Sequence, residues 1–425
     1  MKRLLFSTLS LWMGACSAEL FCPGNNCEDP NVLTDQVGDL NREAFFGVAE
    51  NGWDQVERWR DPKPGFLAED YPPDGRGDQT ASDLIFFNNP QPASNRFLLY
   101  YAPGWDTNTQ AVPVLLVHGA NDNPNRAWAN PNNLGSFGCG DLQCPTTGMM
   151  QALAQQDFKV FAIGFPHKQG DNFYWSEQIQ DAIEIIKQRT GSNVVDVIGW
   201  SKGVTAARMY VSSVNNTLNT QYQNDVRKLI LLGGPNGGFD YIFRYGINHN
   251  LAIAAPCGGT TNAPMPHTSM TCNGVSFELE EQSIYTTAKG NFFPGQKQML
   301  ARWDSIFPVL TTSTDFFTTY NGGVGFFSEG PGIDVAIEQG SLIAPIQNAP
   351  SPAAVKTYLL CGDTPNIPGI PNEVSGPSDG VVFIDSCLDE KGITTVTDTA
   401  TVSLNHLQLG WGDPSTAQVA TWLNK

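Results

Sequence analysis

The chain has 425 residues, 41% hydrophobic and 11% aromatic, enough to bury one large core with insertions and to exclude global disorder. Lys and Arg number 24 against 42 for Asp and Glu, a formal charge of −18. A surface of that sign repels phosphate backbones at long range, which excludes nucleic acid as a partner.

Lys2-Arg3 is a short basic segment followed by a mostly apolar run over 4–13. Such a run is too short to cross a bilayer, which takes about 20 residues, but it suits the hydrophobic part of a signal peptide. It ends in Met13-Gly14-Ala15-Cys16-Ser17, similar to a bacterial lipobox with Met in place of the usual Leu. Residues 1–18 are expected to be a signal peptide and Cys16 the lipidation site. The product would be exported, either attached to the outer membrane or cell surface through Cys16 or secreted. Ordinary cleavage nearby, for example after Ala18, is the alternative.

Nine cysteines make an odd count for an exported chain. With Cys16 set aside, the simplest pairing is sequence-local: Cys22/Cys27, Cys139/Cys144, Cys257/Cys272 and Cys361/Cys387. Each pair would staple a loop in an oxidising compartment. No Cys-x-x-Cys occurs, and neither a metal site nor a cofactor is expected.

Residues 19–95 are punctuated by Asp61-Pro62-Lys63-Pro64-Gly65 and Tyr71-Pro72-Pro73-Asp74-Gly75, and are expected to form an irregular extension on the main domain. Asp70, Asp74 and Asp78 fit no calcium loop and read as a solvated turn. From residue 96 the pattern changes. Strands are predicted at 97–101 and 112–117, a helix at 147–155 and a strand at 159–165. Ser176 is the expected cap of the next helix. Ile179, Ala182, Ile183 and Ile186 would share one of its faces, and Gly191 would close it. A strand at 193–199, a helix at 202–214 and a strand at 227–232 follow. This alternation predicts a mostly parallel sheet with right-handed crossovers, an α/β architecture.

After Gly233-Gly234-Pro235 the alternation stops. Residues 236–350 carry Tyr241, Phe243, Phe292, Phe293, Trp303, Phe316, Phe317, Phe326 and Phe327, and are expected to form a cap or lid. A strand at 355–360 and a helix at 414–423 complete the chain. The core would therefore comprise 96–235 and 351–425, interrupted by the insertion.

The segment Val194-Val195-Asp196-Val197-Ile198-Gly199-Trp200-Ser201-Lys202-Gly203 places Gly-x-Ser-x-Gly between an apolar strand and a helix. A sharp turn there would push the Ser201 hydroxyl clear of the sheet. A serine hydroxyl needs a base, usually a His held by a carboxylate. Of His118, His167, His249, His267 and His406, only His406 follows the final strands. The carboxylate is Asp379 or Asp363, both after the strand at 355–360. Backbone N–H groups of Ala120 and Lys202 are the expected oxyanion donors. The Lys202 side chain is expected to face water, the alternative being that its charge favours anionic substrates.

The segments 114–121, 194–207, 229–234 and 379–382, together with His406, resemble bacterial class 2 lipases and related extracellular polyester depolymerases of the α/β-hydrolase superfamily. The resemblance implies an α/β-hydrolase fold, a triad of Ser201, Asp379 and His406, and oxyanion donors at Ala120 and Lys202. It implies an exported serine hydrolase of carboxylic esters, acting on a small-molecule, lipid or polyester substrate. An acyltransferase, a peptidase or a non-catalytic surface lipoprotein are the alternatives. Two features depart from the family: Trp-Ser-Lys stands where His-Ser-Met is common, and the insertion is far larger than in minimal members.

Overall fold

The computed structural model describes residues 35–47, 50–71, 75, 77–133, 144–244, 270–272, 275–277, 291–309, 320–321, 332–368, 370 and 372–425. Apolar runs such as Val114–Val117 (β5) and Val195–Trp200 (β7) are buried along their whole length, so they belong inside a sheet covered on both faces. The strands before β5 are β1 (Gln36–Val37), β2 (Leu40–Phe46), β3 (Gln55–Arg60) and β4 (Arg96–Tyr101). The others are β6 (Val160–Gly164), β8 (Val226–Leu232), β9 (Met270–Cys272), β10 (Val275–Phe277), β11 (Lys356–Gly362) and β12 (Val396–Val402). Ten of them form one sheet in the order β1-β2-β3-β4-β6-β5-β7-β8-β11-β12, while β9 and β10 pair separately.

The first four strands and the β4–β6 pair are antiparallel. From β6 through β12 the pairing is parallel. The loops after β5, β7, β8 and β11 therefore open at one end of the sheet, where chemistry in open α/β sheets is found. Helices α1 (Ala81–Phe87) and α2 (Met149–Ala154) and the C-terminal helix Asp413–Leu423 cover one face. Helices α3 (Asn172–Thr190) and α4 (Lys202–Val211) cover the other, with Ile179, Ala182, Ile183 and Ile186 of α3 packed into that core.

Two expectations are corrected. Residues 36–60, read as irregular extension, supply three strands of the main sheet, and Ala81–Phe87 is a helix. The segment looked loop-like because its polar residues pair across strands. Glu43 bonds Arg58 at 3.2 Å and Arg96 at 2.7 Å. The buried Glu57 accepts from Arg42, Trp59 and Tyr101. Helix α3 begins at Asn172 and not at Ser176, because the carboxylate of Asp171 accepts the Phe173 N–H at 2.8 Å and caps it. Ser176 lies inside the helix, buried. Gly191, with φ of 71°, closes the helix in the left-handed conformation.

The described part of the 236–350 segment has an apolar core of its own, with Phe239, Tyr241, Phe243, Phe292, Phe293 and Leu300 among its members. Phe316, Phe317, Phe326 and Phe327 lie outside the described residues. Cys361 and Cys387 are joined by a disulfide, with Cα atoms 6.0 Å apart. Cys144 is also disulfide-bonded. Cys16, Cys22, Cys27, Cys139, Cys257 and the side chain of Cys272 lie outside the described residues. Among the described residues no helix is long and apolar enough to cross a membrane.

Candidate active site

Strand β7 runs into α4 through Ser201, whose φ of 54° and ψ of −123° make the turn sharp. A non-glycine residue in that region costs about 1–3 kcal/mol, so the surroundings must impose it. They do so by close approach. A Cβ on Gly203 would overlap the carbonyls of Val117 and His118, and one on Gly119 would lie 2.9 Å from the Ser201 Cβ. Only glycine lets the start of α4 seat against the end of β5. The Ser201 N–H donates to the Leu232 carbonyl at 2.9 Å, which ties the turn to β8.

Three residues that lie far apart in sequence meet at this turn. His406 Nε2 is 2.8 Å from Ser201 Oγ, and His406 Nδ1 is 2.7 Å from Asp379 Oδ2. The other oxygen of Asp379 accepts the N–H groups of Val381 at 3.0 Å and Val382 at 2.8 Å. The His406 N–H donates to the Asp379 carbonyl at 2.8 Å, and the Trp200 indole N–H donates to the His406 carbonyl at 2.9 Å. Asp379 and His406 are both buried. An imidazole that donates from Nδ1 to the carboxylate leaves Nε2 free to take the serine proton.

Asp363 is not brought to His406. It is exposed at the end of β11, and its carboxylate accepts the Thr364 hydroxyl at 3.0 Å. Among the described residues, neither the Ala120 nor the Lys202 N–H donates to a protein acceptor, whereas the neighbouring Asn121 N–H is taken by the Lys168 carbonyl at 3.0 Å.

The expectation that the Lys202 side chain faces water is overturned, since it is 0% exposed. Its Nζ sits 2.9 Å from the centroid of the Trp175 ring and, among the described residues, has no hydrogen-bond partner. Burial holds its pKa well below the usual lysine value, against the opposing pull of Glu69 and Asp171. The physical reason is the roof above it. The short helix Pro294–Lys297 is bonded to the loop before α3 through Gly295 N–H to the Gln169 carbonyl at 3.1 Å and Asn172 Nδ2 to the Gly295 carbonyl at 2.9 Å. A Cβ on Gly295 would overlap the Lys202 side chain.

Of the other histidines, the described His118 and His167 stand apart from this chain of bonds. His118 is buried edge-on to Phe165 and Trp175, and burial pushes its pKa down to about 4. His167 is also buried, with a pKa pushed down to about 4. Its Nε2 lies 3.0 Å from the Asp70 carbonyl, and its Nδ1 accepts the Gln169 N–H at 3.0 Å, a pattern that suits the neutral ring. His249 and His267 lie outside the described residues. Asp70 and Asp78 tie distant segments, accepting from Asn291 N–H and Gln91 Nε2 respectively, each at 2.9 Å, while Asp74 lies outside the described residues.

One support was invisible in the sequence. The Ser378 hydroxyl donates to the Glu373 carbonyl, and the Glu373 N–H donates to the Gly380 carbonyl at 2.9 Å, so Glu373 braces the loop carrying Asp379. Glu373 is in turn ion-paired with Arg244 at 3.0 Å, and Arg244 with Asp240 at 2.7 Å, all three being 1% exposed at the side chain. No local spacing links residues so distant in the chain.

The palmitoyl protein thioesterase family matches residues 113–296, a stretch that contains Ser201 and ends before Asp379 and His406. No curated protein sequence matches the chain. Among solved structures, the chain is similar to a lipase of Bacillus licheniformis in its mature form, at 15% identity and a TM-score of 0.40, over 76% of this chain and 97% of that one. It is also similar to an esterase of Pyrococcus furiosus, at 10% identity and a TM-score of 0.38, over 85% and 98% of the two chains. A thioesterase domain from the curacin biosynthetic pathway is similar at 15% identity and a TM-score of 0.36, over 78% and 95%. The antiparallel lead-in, the six parallel strands and the strand–Ser201–helix turn are those of the α/β-hydrolase fold.

Proposed function

We propose that this chain is a serine hydrolase that cleaves carboxylic esters through an acyl-enzyme. The observation that carries the reading is the hydrogen-bonded chain Ser201–His406–Asp379 at the strained turn. His406 Nε2 takes the hydroxyl proton as Ser201 Oγ attacks the ester carbonyl, and Asp379 holds the ring and the charge it gains. The N–H groups of Ala120 and Lys202 receive the oxyanion. The same proton passes to the departing alcohol. Water, activated by His406, then attacks the acyl-serine, and the acid leaves as Ser201 is restored.

The match to the palmitoyl protein thioesterase family favours a second reading on the same machinery, a thioester in place of the oxygen ester. The aromatic core of the 236–350 segment serves as lid or acyl-binding wall. Cys16 carries lipid after export, which metabolic labelling with palmitate would test by its loss in Cys16→Ala. The decisive experiment is labelling by a fluorophosphonate probe, expected for the native protein and lost in Ser201→Ala. It should be followed by turnover of p-nitrophenyl esters of increasing chain length beside S-acyl analogues, a triglyceride emulsion and an insoluble polyester. A folded native protein that fails to label would sink the proposal.

A further inference from the structure

Away from Ser201, the end of β3 meets one face of α3. Asp61 follows β3 directly and is pinned there, its N–H donating to the Asn95 carbonyl at 2.9 Å and its own carbonyl accepting Asn95 Nδ2 at 2.8 Å. Glu177 and Asp181, four residues apart on α3, face it. One oxygen from each of these carboxylates lies within 4.8 Å of the other two, and the three residues are 3%, 2% and 4% exposed.

Their partners do not balance them. Glu177 is satisfied, receiving Lys63 Nζ at 2.6 Å and the Thr220 hydroxyl. Asp61 receives only the Lys63 N–H at 2.7 Å, on one oxygen. Among the described residues, the second oxygen of Asp61 and Oδ2 of Asp181 are buried with no donor group, and the two carboxyl groups lie against each other. Among the described residues three carboxylates thus share a single ammonium, with Glu184 one turn along α3 adding to the negative field. Buried unpaired charge of this kind is not tolerated without a counter-ion or protons.

We infer that Asp61, Glu177 and Asp181 form a binding site for a hard divalent cation of the calcium type, which fastens the N-terminal strands to α3 and the loop bearing Thr220. The donor set is all oxygen, which selects calcium, magnesium or manganese over softer metals. Oxygens within 4.8 Å of one another are reached by metal–oxygen distances of about 2.3–2.6 Å, and the flexible coordination of calcium accommodates three fixed carboxylates more readily than the rigid octahedron of magnesium. Lys63, 33% exposed at its side chain, stands at the mouth and can turn outward when the cation enters.

The test uses the full chain, stripped with EDTA and dialysed, with Ca²⁺ alone as the probe. Calorimetric titration is expected to show a bound equivalent that Asp181→Asn removes. Thermal unfolding is expected to rise by roughly 3 °C at a hundredfold excess over Kd in the native chain and not in the variant. Lys63→Met supplies an independent arm, since it alters a half-exposed residue outside the ligand set. Removing the competing ammonium should tighten Ca²⁺ binding by about tenfold or more. Equal Ca²⁺ stoichiometry in native chain and Asp181→Asn would overturn the inference. So would Lys63→Met that unfolds earlier and is not rescued by Ca²⁺. Either result would mean that protons on Asp61 and Asp181, with Lys63, balance the cluster.

Discussion

Asp379 and Asp181 are both buried aspartates, yet their surroundings are opposite. Asp379 has both oxygens occupied, by two backbone N–H groups of its own loop and by the His406 ring. Asp181 has a buried oxygen without a donor among the described residues and shares its space with two more carboxylates. The first arrangement holds a carboxylate in one position with no outside help, as an orienting group for an imidazole requires. The second is incomplete within the chain and calls for a cation or a proton. The same contrast holds among the cations. Arg244 is enclosed by Asp240, Glu373 and the Phe307 carbonyl, whereas the ammonium of Lys202 meets a tryptophan face and, among the described residues, no hydrogen-bond acceptor.

Four measurements would break or sharpen that comparison. The largest effect is expected at Asp379. Asp379→Asn keeps the shape but exchanges an acceptor for a donor, so the ring settles in the wrong tautomer and kcat should fall by about 10⁴-fold. Asp363→Asn, made at an exposed strand end, should leave kcat within twofold or so. Ester turnover by both variants checks the assignment, and comparable losses would undo it.

Next comes the saturated pair network. Arg244→Met leaves Asp240 and Glu373 buried without their cation, and the expected loss is about 3–5 kcal/mol in urea unfolding. Because Glu373 braces the Asp379 loop, kcat should fall before the fold is lost.

The third effect concerns neutral buried histidines. His167 has a folded pKa of about 4, below its unfolded value, so the unfolded chain takes up the proton first as pH falls. Its contribution is fully present above about pH 6.5 and is lost progressively down to about pH 4, amounting to up to about 3 kcal/mol. Unfolding midpoints at pH 7 and pH 5 should differ less in His167→Gln than in the native chain. An identical difference in the two would show that His167 is not held neutral.

The smallest effect is expected at Lys202. Lys202→Met replaces an ammonium that burial discourages with an apolar chain of similar length on the same Trp175 face, and should stabilise the fold by about 1 kcal/mol. The ratio of turnover on carboxyl-bearing and neutral esters should stay the same. A shifted ratio would mean that the charge reaches substrate despite its burial.

Much of this was legible in the sequence where the determining contacts are local. Gly199, Ser201 and Gly203 encode the sharp turn within a few residues, because the turn needs small neighbours on either side of a single exposed hydroxyl. Buried parallel strands announce themselves as continuous apolar runs, so β5, β7 and β8 were readable in place and order. The C-terminal position of His406 followed from chain order alone.

What the tertiary structure alone decided is everything that depends on charge meeting charge across the fold. β2 and β3 read as loop because their arginines and glutamates are neutralised by neighbouring strands, which no single segment reveals. The resemblance singles out Asp379 over Asp363, but only the loop after β12 brings His406 to the first and not to the second. The burial of Lys202 depends on Gly295, and the carboxylate cluster on Asp61 reaching α3. Backbone conformation is set by near neighbours, so the sequence by itself determined the turn at Ser201. Electrostatic balance is set by whatever packs alongside, so only the folded chain shows which buried charges are answered and which still wait for a partner.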